Sequence, residues 1–279
     1  MSGRTIDLNA EIPRLHSVAV DLAGLAIDIL KNAKHDEYDH FAFMASNFVC
    51  KQLTHLRSVL KLVDAEQYMD ALSIARAMAE GFAILLWAKG EPIERPLNWR
   101  AFVCIDQFRH DYGLPIYSEH KEYLDIMLDK FCRKYLKPEF KDKPQIEIVP
   151  DNYRSSWKWD DDNENKFVKV NVEKIFEETG LKDLHEGLYD PASGWIHWDS
   201  FSMRETVERK SDGSKVCGNE PKYVGAWAIA SGFHALFGTA SLLDEYLKLG
   251  YPDQLIELYR KAKEYSRDEI RPQREPAAH

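Results

Sequence analysis

The sequence predicts an all-α fold, a multi-helix bundle carrying one long irregular insertion, and three observations support this. Apolar residues recur at intervals of three and four through one segment after another. Glycine followed closely by proline closes two of those segments, at Gly90 with Pro92 and at Gly113 with Pro115. Residues 71–87, ALSIARAMAEGFAILLW, are almost wholly apolar or small and contain no proline, which suits a helix at the centre of a core. A chain of 279 residues can bury a sizeable core. The expectation is one helical domain over 1–279, with an insertion at 137–170 and a disordered tail at 271–279.

The first helix has Pro13 in its first turn and ends near Lys31, with Leu15, Val18, Leu22, Leu25 and Ile29 along one face. A second covers about 38–63, its stripe made by Ala45, Val49, Leu53, Leu56, Leu60 and Val63. The Asp64-Ala65 junction leaves room only for a tight reversal, so the third and central helix packs antiparallel on the second. Gly90 is placed to end it as a left-handed cap. A fourth helix, 96–112, carries Trp99, Phe102, Val103 and Phe108. Ser118 then caps a fifth with Leu124, Met127, Leu128, Phe131 and Tyr135 inward. From Lys137 to Lys166 the helical period is lost; this is a long ordered loop with a short strand at 146–149, and Trp157 and Trp159 argue against full disorder. A short helix at 171–179 stops at Gly180. Asp190 before Pro191 reads as an N-cap, which sets Ser193, His197, Ser200 and Arg204 on one face. A polar hairpin or loop follows at 206–221, then an apolar helix at 223–243 and a final amphipathic helix from Pro252.

Composition excludes several functions. With 37 Lys and Arg against 46 Asp and Glu, the net charge of −9 disfavours general adhesion to nucleic acid or anionic membrane. The segment 223–243 is long enough to span a bilayer, but it is rich in Gly, Ala and Ser and lacks a flanking basic cluster, so it reads as a buried helix and no membrane partner is expected. Charges in the first residues leave no room for an export signal. Cys50, Cys104, Cys132 and Cys217 are far apart in sequence and read as reduced thiols in a cytoplasmic protein.

Arg76 and Glu80 share a face of the central helix. Burial of either charge costs several kcal/mol, about that much even after relaxation, so each needs the other, another polar side chain, or a ligand. One reading is an anion-binding guanidinium oriented by its carboxylate; the other is a buried pair that fixes helix register. Tyr189, Ser193 and His197 form a second group, with His197 able to act as general acid or base and Ser193 able to orient it or contact a ligand. Their structural reading is a histidine satisfied at a helix interface among core tryptophans. Arg204 and His234 complete the candidate ligand contacts, although His234 also reads as a hydrogen-bonded core residue. His35, Asp36, Asp39 and His40 lack the further spaced ligands of a metal centre, and Asp160, Asp161, Asp162 and Glu164 lack the glycine and terminal glutamate of a calcium loop, so no metal is expected. No phosphate loop, dinucleotide fingerprint or serine-hydrolase elbow occurs, and no cofactor is expected.

Arg76-x3-Glu80 on an apolar helix, Trp157 and Trp159, the helix ending EETGL, and Tyr189-x3-Ser193-x3-His197 together resemble the bacterial family known as domain of unknown function 5677, over roughly 53–201 by helix order. That resemblance implies that Arg76, Glu80, Tyr189, Ser193 and His197 meet in the fold. More distantly, a helical protein with arginine and histidine in a polar pocket is similar to the HEPN ribonucleases, which cleave RNA without metal and often act as toxins or in phage defence. Their Arg-x4–6-His spacing is met here only at Arg274 and His279. The resemblance implies a metal-independent ribonuclease or defence effector in which Arg76 contacts phosphate, Glu80 orients it and His197 moves the proton. The alternative is a non-catalytic sensor or interaction protein binding a small anion such as a nucleotide. RNA, such a ligand and a second copy in a homodimer are the partners considered.

Overall fold

A computed structural model describes residues 7–263 apart from 37, 155, 162–166, 198–206, 211, 213 and 218–220. It is an all-α multi-helix bundle with two small antiparallel hairpins. The helices are α1 (Leu8–Asn32), α2 (His40–Asp64), α3 (Tyr68–Lys89), α4 (Glu94–Asp111), α5 (Pro115–Met127), α6 (Val172–Glu178), α7 (Lys182–Leu184), α8 (Asp190–Ile196), α9 (Lys222–Leu247) and α10 (Pro252–Lys263). Among the described residues two π-helical turns interrupt the series, Leu128–Cys132 after α5 and His185–Tyr189 before α8. One hairpin pairs β1 (Trp159–Asp161) with β2 (Phe167–Lys169), and the other pairs β3 (Val207–Arg209) with β4 (Lys215–Cys217).

The helix α3 packs against both α2 and α9, and α9 also lies against α1 and α2. Apolar faces from all four interlock in one core, with Leu22, Ile29, Met44, Leu56, Leu72, Met78, Ile229, Phe233 and Leu236 fully or almost fully buried. Each such side chain contributes about 1.5–3 kcal/mol of transfer free energy. By length and composition alone α3 and α9 could cross a membrane; in the fold, 72% of the apolar window of α9 is buried against its neighbours.

Local sequence sets the ends of these elements. Asp7 and Asp39 cap α1 and α2, accepting from the backbone N–H of Asn9 and Ala42 at 3.0 and 2.9 Å. With the cap at Asp7, α1 begins before Pro13 and carries that proline in its interior. The α2–α3 reversal places Glu66 at φ 59°, and buried Gln52 ties the two helices by donating Nε2 to the Met78 carbonyl at 2.8 Å.

Three expected caps are replaced. Gly90 is right-handed (φ −61°), and the end of α3 is closed by Arg95, whose Nη1 donates to the Trp87 carbonyl at 2.7 Å. Ser118 lies inside α5, which starts instead at Pro115; its hydroxyl donates back to the Pro115 carbonyl. Asp190 is already helical, because the π turn His185–Tyr189 runs directly into α8. Gly113 and Gly180 do take positive φ, at 81° and 70°.

A second core forms where α4, α5 and the π turn Leu128–Cys132 meet the insertion, and it contains Phe102, Ile105, Phe108, Leu124, Leu128, Tyr135, Ile148 and Tyr153. Partly buried Trp157 packs against both cores. Residues 145–147 form a 3-10 turn and not a strand: Pro144 and Pro150 bracket the segment, and Ile146 is 84% exposed. The tail at 271–279 lies outside the described residues.

Glycines set the approach of α9 to α3. A Cβ on Gly225 would lie 2.5 Å from the ring of Tyr68, and one on Gly238 would lie 2.4 Å from that of Phe82. Gly24, on the exposed side of α1, has nothing within 4 Å. Gly225→Ala should therefore destabilise the protein by about 1–3 kcal/mol through overpacking. Gly24→Ala should stabilise it by about 0.5–1 kcal/mol through helix propensity. Urea unfolding of the two variants checks the contrast, and equal shifts of the same sign would contradict the packing described.

Candidate functional site

Helix α3 brings Arg76 to the surface of the central core, facing the π turn His185–Tyr189 and α8. The guanidinium is partly buried. Its Nε donates to Ser193 Oγ at 2.7 Å and its Nη2 to the Tyr189 hydroxyl at 2.6 Å, while Cζ lies 4.0 Å from the centre of the Tyr189 ring. Glu80 also reaches Tyr189, which hydrogen-bonds to its carboxylate. Lys158, from the insertion, approaches Glu80 Oε1 at 3.9 Å; their side chains are 18% and 25% exposed, so this is a half-buried charge pair. Arg76 and Glu80 therefore form no direct ion pair, and the tyrosine hydroxyl stands between them. Burial, then the nearby Glu80 charge, pushes the Tyr189 phenol above its ordinary value, with Arg76 acting in the opposite direction.

The π turn supplies a residue that the sequence pattern did not reveal. His185 stacks on Tyr189 with ring centres 5.0 Å apart, sits edge-on to Phe176 of α6 at 5.2 Å, and approaches Asp190 Oδ2 at 3.4 Å. It is 13% exposed at the side chain, the histidine most closely tied to the Arg76 cluster. In an α-helical reading of 185–193, His185 and Tyr189 share a face, and that spacing was the available signal. The expected histidine lies elsewhere: His197 is the exposed C-cap of α8, joined to Ser193 only through its backbone N–H, which donates to the Ser193 carbonyl at 2.9 Å, and its imidazole takes no part in the hydrogen bonds around Arg76. Of the five residues expected to meet, four do so.

Of the other expected ligand contacts, His234 does not join them. His234 lies on α9 facing α10, edge-on to Tyr259 at 5.8 Å, and its Nδ1 shares a hydrogen bond with the Ala230 carbonyl at 2.6 Å. Arg204 and Ser200 lie outside the described residues. The histidine and aspartate run before α2 is absorbed by local structure: Asp39 caps the helix and accepts from the Tyr246 hydroxyl, and His40 meets Arg100 at 3.2 Å. Among the described residues no group of three or more His, Cys, Asp or Glu side chains gathers as a metal site.

The EETGL segment has a clear structural role. Glu178 accepts from Trp87 Nε1 at 2.8 Å, Gly180 turns the chain, and Leu181 N–H bonds back to the Phe176 carbonyl. Trp87 is covered by Arg95 at 3.8 Å and packs near Trp157, ring centres 6.0 Å apart. A cavity of about 450 Å³ opens here, lined by Trp87, Lys89, Arg95, Glu178 and Thr179 among others. None of the Arg76 cluster lines it, so the cavity and the cluster are separate features of α3.

Two outcomes follow from this geometry. Tyr189→Phe removes the acceptor of Arg76 Nη2 and the donor to Glu80, and it should cost about 1–3 kcal/mol in urea unfolding; an unchanged midpoint would mean that the hydroxyl bridges nothing. Burial holds the His234 imidazole below its ordinary 6.5, and burial acts likewise on His40 and His55. Such groups contribute stability that is full above the unfolded value and lost as pH falls through the depressed folded one. His234→Phe should therefore make Tm fall less steeply below about pH 6.5, and a slope identical to wild type would contradict the buried position.

The model of the family described as "Family of unknown function (DUF5677)" matches residues 42–214. No curated protein and no solved structure matches the chain.

Proposed function

Because the chain belongs to the DUF5677 family of unknown function, we propose its role from the site itself: the Arg76 cluster recognises a small phosphate-bearing anion such as a nucleotide, in a non-catalytic sensor or interaction protein. The observation behind this is how Arg76 is held. Two neutral hydroxyls fix its Nε and Nη2, no carboxylate pairs with it directly among the described residues, and Glu80 is engaged by Tyr189 and Lys158 instead. An oriented guanidinium that keeps its charge is what recognition of a phosphate or carboxylate requires. The net charge of −9 favours a small ligand over RNA, which needs a basic approach.

A second reading, a metal-independent ribonuclease of the HEPN kind with a role in defence or as a toxin, is favoured by one position. His197 ends α8 one turn beyond Ser193, the residue that holds Arg76, and its imidazole is exposed. In that reading Arg76 stabilises charge on the phosphorane and His197 moves the proton.

Calorimetric titration with nucleotides and incubation with RNA, on wild type, Arg76→Lys and His197→Ala, separate the two. Nucleotide affinity should fall at least about tenfold in Arg76→Lys, as loss of a charge-assisted contact worth ~1.5–3 kcal/mol implies, and stay unchanged in His197→Ala. RNA cleavage by the wild type that His197→Ala abolishes would replace the sensor with the nuclease. Neither binding nor cleavage would overturn both.

A further inference from the structure

Two cysteines that are remote in sequence meet in the second core. Cys104 of α4 and Cys132, the last residue of the π turn Leu128–Cys132, come together where that turn packs on α4: Cys132 Sγ reaches the carbonyl of Ala101, one turn before Cys104, each thiol acts on the other, and both are free. Their environments differ. Cys132 is fully buried, with Sγ 3.4 Å from the Ala101 carbonyl, whereas Cys104 is half-buried and reachable from solvent. The π turn produces the meeting. Residues spaced by four drift round an α-helix by about 40° at each step, and the wider π turn keeps Cys132 in line with buried Leu124 and Leu128, facing α4.

We propose that Cys104 and Cys132 form a reversible oxidation site for hydrogen peroxide, in which Cys104 is the attacking thiol and Cys132 the resolving one. The Cys104 thiolate attacks one peroxide oxygen; the O–O bond breaks, hydroxide leaves, and Cys104 becomes a sulfenic acid, its sulfur having given up two electrons. The Cys132 sulfur then attacks that sulfur, its thiol proton leaves with the sulfenic oxygen as water, and a disulfide joins α4 to the π turn. A dithiol reductant restores both thiols.

The assignment of roles follows from the surroundings. The Cys132 thiol draws the Cys104 thiol down to about 7, with the Arg100 charge assisting and burial opposing. The Cys104 thiol and burial hold the Cys132 thiol far above its ordinary value. Arg100 faces Cys104, and Lys134, Tyr135 and Tyr153 are the other charged or titratable groups around the pair. A thiolate beside a cation with solvent access is the form that peroxide attacks, and a buried neutral thiol in contact with it is placed to resolve the product.

The test uses the reduced full-length chain treated with hydrogen peroxide, alkylated and mapped by mass spectrometry. The expected product links the Cys104 and Cys132 peptides with loss of two hydrogens and reverts with dithiothreitol. Cys132→Ser should instead trap a sulfenic acid at Cys104 that dimedone captures, and Cys104→Ser should leave Cys132 reduced. Wild-type mapping decides the matter even if a variant fails to fold. Cys104 that alkylates as fully after peroxide as before, or that links to Cys50 or Cys217, would overturn the proposal.

Discussion

A guanidinium on the central helix of a bundle sets the terms for everything packed around it. Arg76 sits one residue after fully buried Ala75 and two before fully buried Met78. Leu72 and Ala79 beside it on α3 are buried and apolar, and Glu80 is engaged by Tyr189 and Lys158, so its hydrogen-bond partners come from elsewhere in the chain. They come from a segment more than a hundred residues later, as two hydroxyls and an aromatic face. The π turn His185–Tyr189 feeding into α8 delivers them, and α6 fixes that segment to α3 through Phe176 at one end and Glu178 at the other. The insertion contributes Lys158 to Glu80. Three otherwise separate pieces of the chain are thus docked on α3 around one cation and its neighbouring carboxylate.

The bundle was legible in the sequence because its helices are amphipathic or uniformly apolar, and period and length are what a sequence displays most directly. The stripes of α1 and α2 were read nearly residue for residue, and their inward members, such as Leu22, Ile29, Val49 and Leu56, are buried. The ends were harder to read, because a cap depends on partners that the local sequence does not contain. Gly90 looked sufficient to end α3, yet a side chain from α4 performs the task, and Gly90 stays in the right-handed region.

The site was legible in the same partial way. Arg76, Glu80, Tyr189 and Ser193 stood out because charge and hydroxyl interrupted apolar helix faces, and such interruptions need partners. His197 was placed by extending regular α-helical spacing through 190–204. The regular helix stops at Ile196 and leaves His197 exposed at its end, while His185, four residues before Tyr189 in the π turn, stacks on that ring. A π turn leaves no mark that composition or period reveals, and both π turns fall where polar or thiol chemistry is concentrated. The same lack of signal hid the meeting of Cys104 with Cys132.

The order of the elements has a consequence for synthesis. Helices α1 to α3 leave the ribosome first, but the layer that covers them, α9, ends at Leu247. Until that helix emerges, the apolar faces of α2 and α3 that it will occupy are open to water and to holdase chaperones, and the nascent chain holds a half-built core while more than a hundred residues are added. The long-range pairing of α9 with α3 makes completion of the core a late event, and a helix apolar enough to cross a membrane is the one the half-built core waits for.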